Sequence, residues 1–316
     1  MNVEIGQWID IIRKEYLKDF ILHGGSAVKF AVAENETAVR GILSGLQKCS
    51  AGEGYLNAHV DASCVRIHMM QHFFFEVARQ IPWEELAVRI VRSCYARLGY
   101  EVGEDLRFNT VAALRDEEPG PLGTEVRREL QGVLSLSSSM AKDFRYAMLW
   151  MCMEKIRNMG NGGMDTSLIM EWLRGDLKLI SALKKLLIFR RISRHNARVM
   201  LSSLGSWCRQ AGYPGLLLTM DIRNLMFSRK TETPEGSLHY TQSAVMDAYE
   251  VLRQLIDGTD DLTGILCVVI APPELFDDEK RGIKVYKALY ERIWPDVRLR
   301  RLPNPLSALT RVEVGS

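Results

Sequence analysis

Two short runs of consecutive apolar residues constrain the fold of this chain more than any other feature. The first, LLLTMD, spans 216–221, and the second, GILCVVIA, spans 264–271. Neither run alternates apolar with polar residues, as a strand with one wet face would. Strands that are apolar on both faces are typical of parallel sheets with helices packed on each side. The chain is therefore predicted to contain a buried parallel sheet.

The first 82 residues predict the opening of such a sheet. The pattern of apolar residues and glycines predicts helix, strand, helix, strand and helix in turn, at 6–22, 26–33, 37–48, 55–62 and 69–80. Parallel strands need crossover connections of this kind, because a tight turn cannot join them.

Residues 83–212 break this alternation. They hold several helical segments separated by Gly- or Ser-bearing turns and no convincing strand, so we expect a helical insertion. The sheet resumes in 213–316, where further helices are predicted at 243–256 and from about Lys280 to Trp294, followed by an apolar-basic alternation at 297–302. We therefore expect an α/β core formed by 1–82 and 213–316, with the insertion outside it.

Composition restricts the environment of the protein. The 316 residues include 41 Lys and Arg and 39 Asp and Glu, and the formal charge of +2 is too small for a general affinity for nucleic acid or acidic membranes. The six cysteines are spread singly, as expected of reduced thiols. No apolar run approaches the roughly 18 residues that span a bilayer, and the N-terminus lacks a signal-peptide pattern. We expect a cytoplasmic protein with no membrane partner.

The apolar run that ends in Asp221 resembles the layout of P-loop ATPases, in which such an acid holds Mg²⁺ at the carboxyl edge of the sheet. The predicted fold is therefore α/β, a P-loop NTPase-like parallel sheet with a large helical insertion. The first strand-to-helix turn should then carry G-x-x-x-x-G-K-[ST]. Aligned on the end of the first strand, that motif puts Ala33 and Ala38 at the glycines. It puts Val39 at the lysine and Arg40 at the hydroxyl, so all four nucleotide-site positions are degenerate.

The charge of this turn also disfavours a nucleotide. Glu34 and Glu36 bring negative charge to the place where a triphosphate requires positive potential. Asp221 is followed by Ile222 rather than by a glutamate that activates water. We expect no intrinsic ATPase activity and no bound cofactor. Two roles for Asp221 stay open, a metal ligand and a hydrogen-bonding group at the end of the strand.

A resemblance to a known family is carried by six stretches spread over most of the chain. They are GGSAVKFAV at 24–32, GYLNAHVDAS at 54–63, the run from MEWLRGD at 170–201, AGYPGLLLTMDI at 211–222, the run from AVMDAYEV at 244–282, and NPLSAL at 304–309. In wording and order they resemble the BREX-system ATP-binding protein family, which comprises P-loop, AAA-like proteins of bacterial antiphage defence loci. The resemblance implies ATP and Mg²⁺ as ligands. It implies other defence-system proteins as partners, such as a helicase or a TerB-domain protein.

The same resemblance draws attention to Arg281. Related ATPases often carry sensor and arginine-finger groups beyond the third clear strand, where this chain has Pro272-Pro273 and Arg281. Arg281 is thus a candidate finger. The alternative is that the proline pair forms a turn and that Arg281 is a solvated surface charge.

The segment 175–209 is the most basic part of the chain. It holds eight Lys and Arg against one acid, Asp176, and Phe189 and His195 interleave with the bases. Such a pattern is typical of surfaces that contact phosphates and stack on bases. The candidate binding residues are Lys184, Lys185, Arg190, Arg191, Arg194 and Arg198. Three interpretations stay open: DNA binding, contact with an acidic run such as 257–261 or with a partner protein, and a solvated surface.

No other constellation predicts chemistry. His68 and His72 are four residues apart, but no third ligand stands at a convincing spacing, and their apolar neighbours favour packing. No Ser-His-Asp, Cys-His or paired-carboxylate arrangement is evident in the sequence. We predict no catalytic residue and no metal site.

The sequence thus favours an antiphage-defence component with a degenerate P-loop site, acting as a regulatory or scaffolding subunit of an oligomer or complex. One alternative is an active AAA-like ATPase or DNA-remodelling subunit whose site is completed by a neighbouring subunit. The other is a plain nucleic-acid-binding protein, which requires 175–209 to present one continuous basic face.

Overall fold

The computed structural model describes residues 2–135, 139–157, 166–293 and 304–315. The chain divides into two compact units, the first made of residues 1–81 and 213–316 and the second of residues 82–212. The alternation noted at 297–302 lies outside the described residues.

The first unit is built on one six-stranded sheet in which every pairing is parallel. The strands are β1 (Val3–Glu4), β2 (Ala27–Ala33), β3 (Leu56–Asp61), β4 (Leu216–Asp221), β5 (Ile265–Ala271) and β6 (Leu309–Glu313). The predicted P-loop NTPase-like parallel sheet is confirmed, and all four predicted strands belong to it. The prediction lacks β1, which has two residues, and β6, whose sequence LTRVE carries two charges in five residues.

The strand order places the degenerate turn and Asp221 close to the same crevice. Across the sheet the order is β1-β6-β2-β5-β4-β3, so that β5 separates β2 from β4. After β2 the chain crosses the sheet toward β3, at one edge. After β5 it crosses in the opposite direction, toward β6. Ligands of open parallel sheets bind at the carboxyl ends of the strands where the direction of the connections reverses. The carboxyl edge at β2, β5 and β4 is therefore the place to look for a site.

Helices supply the rest of both units. They are α1 (Ile5–Ile11), α2 (Glu36–Gly52), α3 (Met70–Arg79), α4 (Trp83–Arg97), α5 (Phe108–Ala113), α6 (Pro119–Ser135), α7 (Lys142–Ile156), α8 (Ser167–Arg174), α9 (Ala197–Gln210), α10 (Gln242–Asp257), α11 (Glu274–Asp277) and α12 (Lys287–Ile293). A π-helical stretch, Ile12–Phe20, continues α1. In the part of the chain that the structure describes, no helix combines the length and the apolar character needed to cross a bilayer.

One face of the sheet is covered by α1, its π-helical continuation and α2. Trp8 and Leu46 from these helices belong to one buried cluster with Val268 of β5. Two helices can approach closely where one of them lacks a side chain, and Gly45 of α2 provides such a point because a Cβ there would overlap the side chain of Ile9. This packing fixes the position of the start of α2 relative to the sheet.

The second unit is helical. The described residues of 82–212 contain no strand, so the predicted helical insertion is confirmed. Its core includes Trp83 and Phe144, whose ring centroids lie 6.1 Å apart, together with the buried Trp172 and Trp207. Aromatic side chains of this size bury much apolar surface, which allows a unit of this length to form its own core.

One predicted helix is wrong in its first half. The pattern predicts a helix from about Lys280, whereas α12 begins at Lys287. The Oδ1 atom of Asp278 accepts hydrogen bonds from the backbone N–H groups of Lys280 and Arg281, at 2.7 and 2.8 Å. An aspartate that bonds the backbone in this way favours a turn over a helix. The predicted end of the helix, Trp294, lies outside the described residues.

Candidate functional site

The connection between β2 and α2 is where a P-loop ATPase holds phosphate, and here it consists of Glu34 and Asn35 alone. Asn35 caps α2. Its side-chain oxygen accepts a hydrogen bond from the Ala38 N–H at 2.9 Å, and its carbonyl oxygen accepts one from the Val39 N–H at 3.1 Å. Helix-terminal N–H groups bind phosphate when they lack such partners. Two donors of α2 are therefore used by the chain itself, in a connection too short to encircle a phosphate.

The positions aligned with the nucleotide-binding motif are not brought together as a polar site. Ala33, Ala38 and Val39 are buried and belong to the cluster between α2 and the sheet. Arg40 is exposed on α2. Val39 stands where a lysine would reach the phosphates, but it is packed in the core and offers neither charge nor donor.

Asp221, at the carboxyl end of β4, is bound by Arg223. Asp221 as a residue is 4% exposed, and its carboxylate accepts hydrogen bonds from Arg223 Nε at 3.0 Å and from Arg223 Nη2 at 2.7 Å. Its Oδ1 atom also accepts a bond from the backbone N–H of Arg223 at 3.0 Å. Asp221 thus makes hydrogen bonds at the end of its strand, which is one of the two roles left open by the sequence.

Arg223 also reaches across to the degenerate turn. Its Nη1 atom donates to the carboxylate of Glu36, the first residue of α2. Hydrogen bonds to Asp221, and then to Glu36, raise the pKa of Arg223 above its ordinary value, against the opposing effect of burial. The guanidinium therefore joins the strand-terminal acid of β4 to the helix that follows β2. We call this the Asp221–Arg223–Glu36 network.

Further acids lie at the same edge of the sheet. Asp61 is the register partner of Asp221 on the neighbouring strand. Glu34 and Glu313 both accept hydrogen bonds from the Asn2 side chain, at 3.3 and 3.0 Å. Carboxylates outnumber the one guanidinium in this group, so the edge has the wrong charge for a triphosphate. The residues present do not form the set of cationic and N–H donors that the phosphates of a nucleotide require.

Arg223, the residue that organises this edge, is not among the site residues predicted from the sequence. A signal for it exists, since an arginine two residues after a strand-terminal aspartate can fold back onto that carboxylate. Its second partner has no local signal, because Glu36 is 187 residues away in sequence.

Arg281 lies in the loop after β5 and is 5% exposed. Its Nη1 donates to the Leu225 carbonyl at 2.9 Å, and its Nη2 donates to the carbonyls of Tyr240 and Ser228 at 2.8 and 3.4 Å. The guanidinium thereby holds the loop that follows β4. A finger role for Arg281 stays a prediction, and in this conformation its donors are directed at the backbone of its own chain.

The six candidate binding residues of the basic segment all lie in the second unit. Lys184 and Lys185 are exposed on a 3-10 helix, Ile180–Leu186, and Arg198 is half-buried on α9. Arg190, Arg191 and Arg194 are exposed in the connection between these helices.

Two of these arginines have partners within the second unit. Arg190 Nε pairs with Asp143 at 3.1 Å, and Arg191 donates to the Lys178 carbonyl. Asp257, the first acid of the run at 257–261, pairs with Arg253 and Arg292 inside the first unit.

The histidine pair is placed among apolar and aromatic groups. Burial lowers the pKa of His68 and of His72, which favours their neutral forms. The His68 ring packs edge-on against Tyr240 with centroids 5.5 Å apart. Among residues 2–135, 139–157, 166–293 and 304–315, no three His, Cys, Asp or Glu side chains are grouped so as to hold a metal ion.

A parallel sheet with a strand-terminal aspartate at its carboxyl edge and a helical insertion defines this protein as a P-loop NTPase-like α/β protein. The family model described as BREX system ATP-binding protein BrxC/D matches residues 104–312, which is 209 of the 316 residues. The chain belongs to this family, a family of antiphage-defence proteins. No curated protein and no solved structure matches the chain.

The extent of the family match bears on the degenerate turn. The stretches at 170–201, 211–222, 244–282 and 304–309 lie inside the matched region. The connection between β2 and α2 lies before it. The family description therefore rests on the second unit and the later strands, and not on the segment where a nucleotide loop would be.

Proposed function

We propose that this protein is a non-hydrolysing, regulatory or scaffolding subunit of a cytoplasmic antiphage-defence complex. In this proposal the P-loop-like fold is kept as a framework for binding protein partners, and its nucleotide site has been lost. The single observation that carries the proposal is the Asp221–Arg223–Glu36 network. A helicase or a TerB-domain protein is the kind of partner that family membership suggests.

The network sets an energetic barrier to nucleotide binding. To admit Mg²⁺ at Asp221, the guanidinium of Arg223 has to leave a carboxylate that is almost completely buried. Mg²⁺ would supply a new countercharge, but the hydrogen bonds from Arg223 to the carboxylate would be lost. Hydrogen bonds to charged groups are worth about 1.5–3 kcal/mol, so this loss weakens binding about 10- to 150-fold. A site of micromolar affinity would weaken to about 10–150 μM from this loss alone, and the missing lysine and the acidic turn weaken it further.

Calorimetry with ATP and Mg²⁺, together with a phosphate-release assay, tests this proposal. We expect no binding tighter than millimolar and no turnover by the purified protein. Micromolar, Mg²⁺-dependent binding would overturn the proposal. Turnover that appears only when purified partner subunits are added would instead favour the alternative of an active ATPase or DNA-remodelling subunit completed by a neighbour.

Nucleic-acid binding through the basic segment is a second candidate function. It is favoured by the exposure of Lys184, Lys185 and Arg194, none of which has an ion-pair partner among the described residues. Cations without acidic partners are available to phosphates, and releasing counterions from a nucleic acid favours binding. The same cations also suit an acidic protein partner, so the test must separate the two.

The test is a fourfold reversal, in which Lys184, Arg191, Arg194 and Arg198 are all replaced by Glu. We expect the variant to lose retention of a labelled DNA duplex at about 50 mM salt, where phosphate contacts dominate. Reversing the three exposed residues, Lys184, Arg191 and Arg194, should change the melting temperature little, because exposed charges contribute about 0–1 kcal/mol each, whereas the half-buried Arg198 accounts for any larger change. Equal binding by the variant, or no binding of either a duplex or a single strand by the wild type, would rule out this candidate. Loss of a partner protein without any DNA binding would support the scaffold role.

A further inference from the structure

The second unit displays a large aromatic side chain in the middle of its basic segment. Phe189 is 53% exposed, and the neighbouring Leu187 is also exposed. Solvent-exposed cations flank this ring on both sides along the chain. We call this set the Phe189 surface, and it comprises Lys178, Lys184, Lys185, Phe189, Arg190, Arg191 and Arg194.

The backbone holds Phe189 in this exposed position. Trp150 Nε1 of α7 donates to the Leu186 carbonyl at 3.0 Å. Trp172 Nε1 of α8 donates to the Arg190 carbonyl at 2.9 Å. Ile188, between these two anchors, is completely buried. With Ile188 buried between the two anchors, the adjacent Phe189 side chain is left exposed to solvent. The ring is therefore presented by a segment tied to two helices.

Along the chain, the charged residues around Phe189 are all positive, and Asp143 of α7 pairs with one of them, Arg190. No Asp or Glu occurs from residue 177 to residue 220. Lys184, Lys185 and Arg194 have no ion-pair partner in the described part of the chain, and Arg190 remains exposed although its Nε contacts Asp143. The Phe189 surface thus combines a positive potential with a hydrophobic ring.

The first turns of α7 carry a further aromatic ring and two more cations. Asp143, the partner of Arg190, is the second residue of α7. Lys142, Arg145 and Tyr146, in the same first turns of α7, line a cavity of about 370 Å³. The Lys142 ammonium lies 5.9 Å from the centre of the Tyr146 ring. The Arg190–Asp143 pair joins this part of α7 to the Phe189 surface.

From these features we propose that the Phe189 surface binds single-stranded nucleic acid, with Phe189 stacking on a base and the surrounding cations contacting phosphates. Sequence-tolerant single-strand binders combine a positive track with exposed aromatic rings in this way. A duplex does not present the faces of its bases, and an acidic peptide would use the cations without requiring the ring. The inference rests on the second candidate function and specifies its ligand.

Fluorescence anisotropy with labelled 20-mers tests the inference, using dT20, rU20 and a 20-base-pair duplex. Phe189→Ala should weaken binding of the single strands about 5- to 150-fold, the range expected for one stacked base, while Phe189→Trp should retain it. The salt dependence should stay the same in both variants, because no charge is removed. The matched control is Phe20→Ala, since Phe20 is a similarly exposed ring, at 49%, in the first unit.

The triple variant Lys184→Glu, Lys185→Glu, Arg194→Glu tests the phosphate contacts. For three contacts, the slope of log K against log salt should become shallower by about 2 for a single strand. The matched control is Lys48→Glu, Lys230→Glu, Lys284→Glu, which changes the net charge equally at three exposed lysines of the first unit. This control should keep most of the binding.

The outcomes distinguish the inference from the functions on which it builds. Duplex binding as tight as single-strand binding, with no effect of Phe189→Ala, would overturn the inference while leaving general nucleic-acid binding in place. No binding of any probe at 50 mM salt would overturn both. Neither result bears on the nucleotide site, because ATP binding is measured separately.

Discussion

Replacing Arg223 with methionine tests the network at the carboxyl edge of the sheet. Methionine keeps much of the side-chain volume and removes the guanidinium. Of the hydrogen bonds described for Asp221, the carboxylate would then keep the one from the Arg223 backbone N–H. The carboxylate of a residue that is 4% exposed would be left without its countercharge, and Glu36 would lose the same partner.

The expected cost follows from the burial of the two partners. Removing one member of a buried ion pair costs about 3–5 kcal/mol. The Arg223 side chain is 28% exposed, so water screens part of the interaction and we expect about 3 kcal/mol, at the lower end of the range. Asn at position 221 needs no countercharge. The double variant D221N/R223M should therefore be about 1–2 kcal/mol more stable than R223M.

Hydrogen exchange followed by mass spectrometry is the appropriate assay, because it reads the two units separately. A loss of about 3 kcal/mol should speed exchange of the most protected β4 and β5 amides about 150-fold. Peptides from α7, in the second unit, serve as an internal reference. The matched control is R229M, since the Arg229 side chain is 79% exposed. The reasoning would be refuted if the β4 amides of R223M exchanged at a rate within fivefold of the wild type. It would also be refuted if R223M and R229M changed that rate equally.

Three further predictions concern buried or paired charges of the first unit. Arg281→Met should destabilise it by about 2–4 kcal/mol, because three carbonyls lose a charged donor, and thermal melting should show a clear loss that Arg281→Lys partly restores. Lys29→Met should cost about 2 kcal/mol in urea unfolding, because the buried ammonium donates to the Leu306 carbonyl at 2.7 Å. Hydrogen bonds from Arg253 lower the pKa of Glu250 to about 2, so its stabilising effect should be complete above its ordinary pKa of 4.5 and should fade as the pH drops toward 2. Glu250→Gln should flatten that part of the stability profile between pH 5 and 2, and an unchanged profile would contradict the assignment.

Some features of the fold follow from local sequence patterns. The apolar runs at 216–221 and 264–271 predict buried parallel strands, and both are central in the sheet. A strand that is covered on both faces needs apolar side chains throughout, so its own composition reveals it. In contrast, β6 has no such pattern and joins the sheet by pairing with β2 and β1. Its inclusion depends on backbone hydrogen bonds to strands far away in sequence.

At the turn formed by 278–282, a local sequence pattern predicts the wrong structure. The helical spacing of the apolar residues extends back to about Lys280. The Asp278 side chain, however, accepts hydrogen bonds from the backbone N–H groups of Lys280 and Arg281, and a turn results. Side-chain bonds to the backbone compete with helix formation at energies similar to helix propensities. A periodic pattern therefore predicts that a helix exists more reliably than it predicts where the helix begins.

The sequence by itself determined which side chains are absent from the nucleotide turn and where the basic segment lies, because residue identity at those positions is enough for both conclusions. Only the tertiary structure decided what occupies the carboxyl edge instead. Arg223 meets Glu36 because the sheet places β4 and β2 on either side of β5, and the folded loop after β4 directs the donors of Arg281 to backbone carbonyls. It also decided that Phe189 is exposed, through two tryptophan hydrogen bonds from α7 and α8. These contacts join residues that are distant in sequence, and no local pattern encodes the distance between them.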